Sequence, residues 1–171
     1  MKGQIIKGAV FLALILVPVS FFSCGYRMVG SKPLPFNSVT IKPVRNMTYE
    51  PRLEERLHRA LSREFIAQGI KVRHIGGDIT LESTITAFKL SPIASVEDRV
   101  QEQEVVFTVD IKVIDDGNII EFVSMQSPIR ITFQASGSVT DSVILKERSI
   151  DKASSEIARE IISRIIIRYA E

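Results

Sequence analysis

Glu104-Val105-Val106-Phe107-Thr108-Val109-Asp110-Ile111-Lys112-Val113-Ile114-Asp115-Asp116-Gly117-Asn118 carries the clearest structural signal in the chain. Val105, Phe107, Val109, Ile111 and Val113 fall on one side of an extended segment. Glu104, Val106, Thr108, Asp110 and Lys112 fall on the other, because successive strand side chains point to opposite faces. A strand patterned this way buries one face and leaves the other polar, the habit of antiparallel sheets. Asp115-Asp116-Gly117-Asn118 then offers residues that tolerate positive φ in a tight hairpin turn. Upstream, Ile79, Leu81, Ile85 and Ala87 alternate with Thr80, Glu82, Thr84 and Thr86, which predicts a second strand. Pro92 to Gln101 reads as a polar connection between the two. Downstream, a return strand is predicted from about Ile119 to Phe133, with Ile129, Ile131 and Phe133 alternating against Arg130, Thr132 and Gln134. Pro128 lacks an amide donor and marks an edge or bulge.

Helical periodicity flanks this block. Leu53, Leu57, Ala60, Leu61 and Phe65 recur on one face, with Arg52, Glu55, Arg59 and Arg63 elsewhere. Asn46 and Thr48 predict the helix start, with Thr48 as cap, Glu50 suiting the positive end and Pro51 tolerated in the first turn. Gly69 predicts its end. Val39, Ile41 and Val44 form a short strand before it, stopped around Pro43, and Ile70 to Ile75 another after it. At the C-terminus, the Ser/Gly-rich Ala135 to Ser142 leads to a helix with Ile150, Ala153, Ile157, Ile161 and Ile165 on its face, widened by Ile162, Ile166 and Tyr169. Alternating strands with one apolar face need a single covering layer, and two amphipathic helices supply it. The expected fold is α+β: a two-layer sandwich, two helices on one face of a mixed, mainly antiparallel sheet of four to five strands. The first strand–helix–strand unit is expected to be parallel.

The N-terminus has a different character. Lys2 and Lys7 precede an apolar run from Gly8 to Phe22, broken only by Pro18 and Ser20, which closes on Phe22-Ser23-Cys24-Gly25. A positive start, a short apolar middle and a small residue before the cut describe a secretory signal. A cysteine directly after that small residue is the arrangement of a bacterial lipoprotein, with cleavage between Ser23 and Cys24 and acylation of Cys24. An uncleaved anchor is the competing reading, but a span needs about 20 apolar residues and this run is shorter. The expected organisation is therefore a signal peptide over residues 1–23, a lipidated tether over 24–37 and one domain over 38–171. Cys24 is the only cysteine, so no internal disulfide is available.

Whole-chain charge is 22 Lys+Arg against 20 Asp+Glu; loss of Lys2 and Lys7 with the leader leaves 20 of each sign. A nucleic-acid binder shows a basic excess, so no nucleic-acid partner is expected. The linear sequence marks no basic face either, which leaves membrane attachment to the acyl chains.

No catalytic or metal site can be named. His58 and His74 stand without a third ligand at zinc spacing. Ser136-Gly137-Ser138 is not a nucleophile elbow, and Gly76-Gly77-Asp78 reads as a turn. Asp115-Asp116 and Glu97-Asp98 read as solvated turn and loop acids, and Asn46-Met47-Thr48 as a helix start. Lys112 and Arg130 face the uncovered side of the sheet but sit at opposite ends, too far apart for one clamp. Glu156, Arg159, Glu160, Arg164 and Arg168 read as a solvated helix face. Cofactors other than the acyl and diacylglyceryl groups on Cys24 are not expected.

Cys24-Gly25-Tyr26, Leu34-Pro35, Val39-x-Ile41-x-Pro43, Asn46-x-Thr48-x-Glu50-Pro51, Leu53-Glu54, Leu57, Ala60-Leu61 and Phe65 resemble the lipopolysaccharide-assembly lipoprotein family LptE. The strand block and closing helix are similar in order and length. The resemblance implies two helices on a mainly antiparallel sheet, and an outer-membrane lipoprotein, palmitate-bearing and facing the periplasm. It further implies a plug in the lumen of an LptD-like β-barrel that inserts lipopolysaccharide into the outer leaflet. Gly25 agrees with outer-membrane sorting. The resemblance also makes lipopolysaccharide a possible ligand, though no contact residue is identified by the sequence. The alternatives are another periplasmic lipoprotein adaptor, serving an envelope enzyme or transporter, and a secreted hydrolase, which lacks a readable site.

Overall fold

The computed structural model describes residues 34–96, 99–126, 131–134 and 139–170. Its sheet is built from seven strand segments: β1 (Ser38–Ile41), β2 (Arg45–Asn46), β3 (Lys71–Arg73), β4 (Ile79–Val96), β5 (Arg99–Asp115), β6 (Asn118–Gln126) and β7 (Ile131–Gln134). Helix α1 covers Leu53–Ala67 and α2 covers Val139–Ala170. The lanes run β3-β1-β4-β5-β6, with β2 extending the β1 lane along β4 and β7 extending the β6 lane along β5. Seven segments thus fill five lanes, and the α+β class is the expected one. β1 is parallel to both β3 and β4, whereas β4–β5 and β5–β6 are antiparallel.

The alternation in β5 places Val105, Phe107, Val109, Ile111 and Val113 in the core at 2% exposure or less. Ile150, Ile157, Ile161 and Ile165 of α2 cover this part of the sheet and Leu57, Leu61 and Phe65 of α1 the β1–β3 side, all essentially inaccessible. One layer of helices against one sheet face satisfies both apolar surfaces. The hairpin after β5 is a two-residue loop with Asp116 at φ 42 and Gly117 at φ 89, the double positive φ of a type I′ turn. Gly69, at φ 80, ends α1 as expected: the Ile70 amide reaches back to the Phe65 carbonyl at 2.9 Å, and Ile70 is buried behind it.

Several boundaries differ from the sequence reading, each for a local reason. A bulge between Ile85 and Ala87 shifts the parity of β4. Ala87 consequently joins the outward row with Thr108, and Phe88 turns inward opposite Phe107. Pro92 to Gln101 is not a connection but the far arm of the β4–β5 hairpin, paired to Val96 opposite Arg99 with two further register shifts. Thr48 does not cap α1. Arg52 occupies the cap position at φ 65 with no side-chain cap bond, and Thr48 works one turn earlier, as described below. The last helix begins by Val139, inside the stretch read as a lead-in. Leu34 and Phe36, read as tether, pack on the core, with the Phe36 ring edge-on to Tyr169 at 5.0 Å. Pro128, Ile129 and Arg130, and the edge or bulge expected there, lie outside the described residues, as do Glu97, Asp98 and residues 135–138.

Candidate interaction surface

Asn46, Thr48, Glu50 and Pro51 form a closed loop ahead of α1. The Thr48 amide and hydroxyl donate to Asn46 Oδ1 at 3.0 and 2.8 Å, and the Glu50 amide donates to Thr48 Oγ1 at 3.3 Å. Asn46 Nδ2 donates to the Glu50 carbonyl and to Glu54 Oε2, each at 2.8 Å. Asn and Thr close such turns by bonding backbone two residues on. Glu50 then meets Lys146 of α2 at 2.8 Å, so the motif joins both helices to the end of β2. Its role is architectural. Met47 and Tyr49 project from the loop, with Tyr49 fully exposed.

A strap crosses β1 on the side away from the helices. The Gly77 amide donates to Thr40 Oγ1 at 2.9 Å and the Asp78 amide to Ser38 Oγ at 3.1 Å. Asp78 Oδ2 accepts the Asn37 and Ser38 amides at 2.8 and 3.0 Å. Ser38 and Thr40 are thereby buried although they point outward. The Asn37 amide, then the Ser38 hydroxyl, hold the Asp78 carboxyl below the usual carboxylate range. Gly77 passes so close that a Cβ would lie 2.5 Å from the Thr40 nitrogen. The Gly76-Gly77-Asp78 turn is therefore a structural clamp.

Beyond the strap the outward sheet face is polar. Lys112 lies in register between Glu82 and Glu121, and Asp110 opposite Thr84. Lys112 thus lies among carboxylates as one solvated charge, and Lys71 and Arg73 of β3 lie in register with the outward Ser38 and Thr40. Arg130 lies outside the described residues. Asp115 accepts the Tyr169 hydroxyl at 2.9 Å; burial, then this carboxylate, hold the phenol well above its ordinary range.

His58 and His74 do come together, along a groove of about 690 Å³ between α1 and the ends of β1 and β3. Ile41, Val44 and Val72 also line it, and Glu54 and Glu55 lie on the helix side. Among the described residues no trio of His, Cys, Asp or Glu is placed to hold a metal.

The helix layer carries a row of arginines. Arg52, Arg56, Arg59 and Arg63 recur at i, i+4, i+7 and i+11 and form one stripe on the side of α1 that faces α2. Arg56 is spent on Glu147 and Asp151. Arg59 and Arg63 make no ion pair among the described residues and share a cleft of about 280 Å³ with Arg56, Asp151, Lys152 and Ser155. On α2, Arg148, Lys152 and Arg159 repeat at i, i+4 and i+11. Arg52, Arg159 and Arg164 pair with Glu55, Glu156 and Glu160. The spacing of the α1 arginines was the sign of this stripe visible in the sequence.

Ser23 and Cys24 lie outside the described residues. No described helix is long and apolar enough to cross a membrane.

Comparison with known proteins places this architecture. The lipopolysaccharide-assembly family LptE matches residues 36–168. The rare lipoprotein B structure from Shewanella oneidensis superposes with a TM-score of 0.55 at 15% identity, covering 75% of this chain and 93% of that one. A putative lipoprotein from Caulobacter crescentus gives a TM-score of 0.51 at 14% identity, covering 75% and 91%. At such identities the structures establish the fold alone. No curated protein sequence matches significantly.

Proposed function

The chain belongs to the LptE family of lipopolysaccharide assembly, and from that premise we propose that it is the lipid-anchored plug of an LptD-like outer-membrane β-barrel. The observation that carries the proposal is the extent of the family match, which runs from Phe36 to Arg168 through both helices and every described strand. Signal cleavage between Ser23 and Cys24 and acylation of Cys24 would leave the domain facing the periplasm on a short tether. The polar outward face of the sheet and its loops would enter the barrel, whose lumen is itself polar. The task is to scaffold the barrel and keep it competent for lipopolysaccharide; no turnover is required of the plug.

The test is recovery of a barrel. Tagged protein extracted from outer membrane is expected to bring down a large β-barrel in a one-to-one ratio. Depletion should leave that barrel protease-sensitive and surface lipopolysaccharide reduced. A properly assembled barrel and normal surface lipopolysaccharide in cells lacking the protein would reject the plug and leave a general envelope adaptor.

A further inference from the structure

We propose that the partner barrel adds one short extended segment to the sheet of this domain, along the free edge of β4 between Ala87 and Ser91. The extents of the lanes leave that place open. β7 and β6 flank β5 at Glu102–Val105 and Thr108–Asp115. On the far side of β4 the neighbouring lane is filled only as far as Asn46, which pairs with Ile85. The Met47 amide still reaches the Ile85 carbonyl at 2.9 Å. The chain then turns off toward α1, and among the described residues nothing pairs with that side of β4 beyond this point.

The free stretch has a readable hydrogen-bond phase. Pro92 pairs with Gln103 of β5 yet has no amide to donate, so its nitrogen points to the open side, as proline does on a sheet edge. The Thr108 carbonyl accepts the Thr86 hydroxyl at 3.4 Å, which puts it on the β4 side opposite Ala87 and gives the same phase. By alternation Phe88 and Leu90 turn their amides and carbonyls outward from the edge, while Ala87, Lys89 and Ser91 bond β5. Main-chain groups left open in this way are matched by an extended segment. Side chains around the slot define what it carries. A cleft of about 400 Å³ separates the Met47–Glu50 loop from Thr86–Lys89. Met47 and Tyr49 stand exposed on the loop, with Leu90 and the partly buried Phe88 on the strand. Val143 of α2, also exposed, lies one turn before Lys146, which grips Glu50. Lys89 is exposed on the outward row. The segment that fits has apolar residues at alternate positions facing this rim, and a carboxylate between them for Lys89. The bulge at Thr86 and the proline at 92 bound the stretch, so it takes one short strand and does not propagate a sheet from copy to copy.

This contact rests on the plug reading for its partner, and it lies on an edge of the sheet that would enter the lumen. The test compares full-length lipidated protein, free and in complex with the co-purified barrel, by hydrogen exchange resolved to single amides. In the free protein Phe88 and Leu90 should exchange fast between slow neighbours at Ala87, Lys89 and Ser91. In the complex those two amides should slow by about tenfold or more, and the alternation should vanish. Leu90→Pro removes an amide that the isolated domain does not use. Its urea midpoint should stay near that of wild type, while barrel recovery falls about tenfold. Leu90→Ala, which keeps the amide, should lose less. If the proline unsettles the domain, the wild-type exchange pattern decides. A recovered barrel with Phe88 and Leu90 still fast overturns this contact and leaves the plug standing. No barrel at all removes the plug and this contact with it. Slow exchange at both amides in the free protein, rising with its concentration, assigns the edge to a second copy and also overturns the proposal.

Discussion

Gly77 shows how a single atom can be excluded by the fold. The Cβ of Gly77→Ala would run into the Val39–Thr40 peptide bond, 2.5 Å from the Thr40 nitrogen and 2.6 Å from the Val39 carbon, and that backbone cannot swing aside. The expected cost is about 1–3 kcal/mol, the range of overpacking, read as a lowered urea midpoint. Leu61 tests the opposite case. It is fully buried between helix and sheet, so Leu61→Ala should cost about 2–5 kcal/mol through lost transfer and a cavity; an unchanged midpoint would place that face outside the core. Asp78 adds a pH signature. Its carboxyl is held below the ordinary value of 3.8, so it contributes stability above that pH, and loses it as pH falls through the lower native value. The midpoint gap between wild type and Asp78→Asn should be open near neutral pH and close in acid.

At the scale of elements, legibility followed burial. The apolar rows of β5, α1 and α2 were readable because each periodicity is imposed by one packed face. The same rule explains the failures. Pro92 to Gln101 pairs as strand beyond the helix layer's reach and shows no apolar row to recognise. Thr86 hides a bulge because an extra residue changes parity without changing composition. Thr48 offered the right chemistry for a cap, but its hydroxyl is engaged by Asn46 and the Glu50 amide. Arg56 was not singled out by the sequence. It links α1 to α2 through Glu147 and Asp151, whose side chains are 45% and 59% exposed. Solvent screening limits the expected loss for Arg56→Ala to about 1 kcal/mol, and Arg56→Lys should restore only part of it because the fork is gone. Gly117→Ala, at φ 89, should cost roughly 1–2 kcal/mol, the penalty of a left-handed L-residue, measured by the same denaturation.

For the whole molecule, an even count of charges does not reveal which ones meet: Arg56 with Glu147 and Asp151, and Lys146 with Glu50, pair across elements far apart in sequence. The anchor prediction belongs at this scale. Cys24→Ala should yield an unacylated precursor that keeps its leader, and intact mass of the wild type should show the lipid; an unmodified wild-type mass would remove the anchor reading. An acylated Cys24 would also give the position of β1 a mechanical meaning. Any pull on the lipid enters the domain through Leu34 to Asn37 and reaches β1, an interior strand held by β3 on one side and β4 on the other, with Asp78 gripping its first amides. Load along such a strand shears two hydrogen-bond ladders at once instead of unzipping one bond at a time. A domain tethered in this way would be gripped at an interior, doubly paired strand, so tension through such an anchor is expected to extract the acyl chains from the bilayer before it unravels the protein.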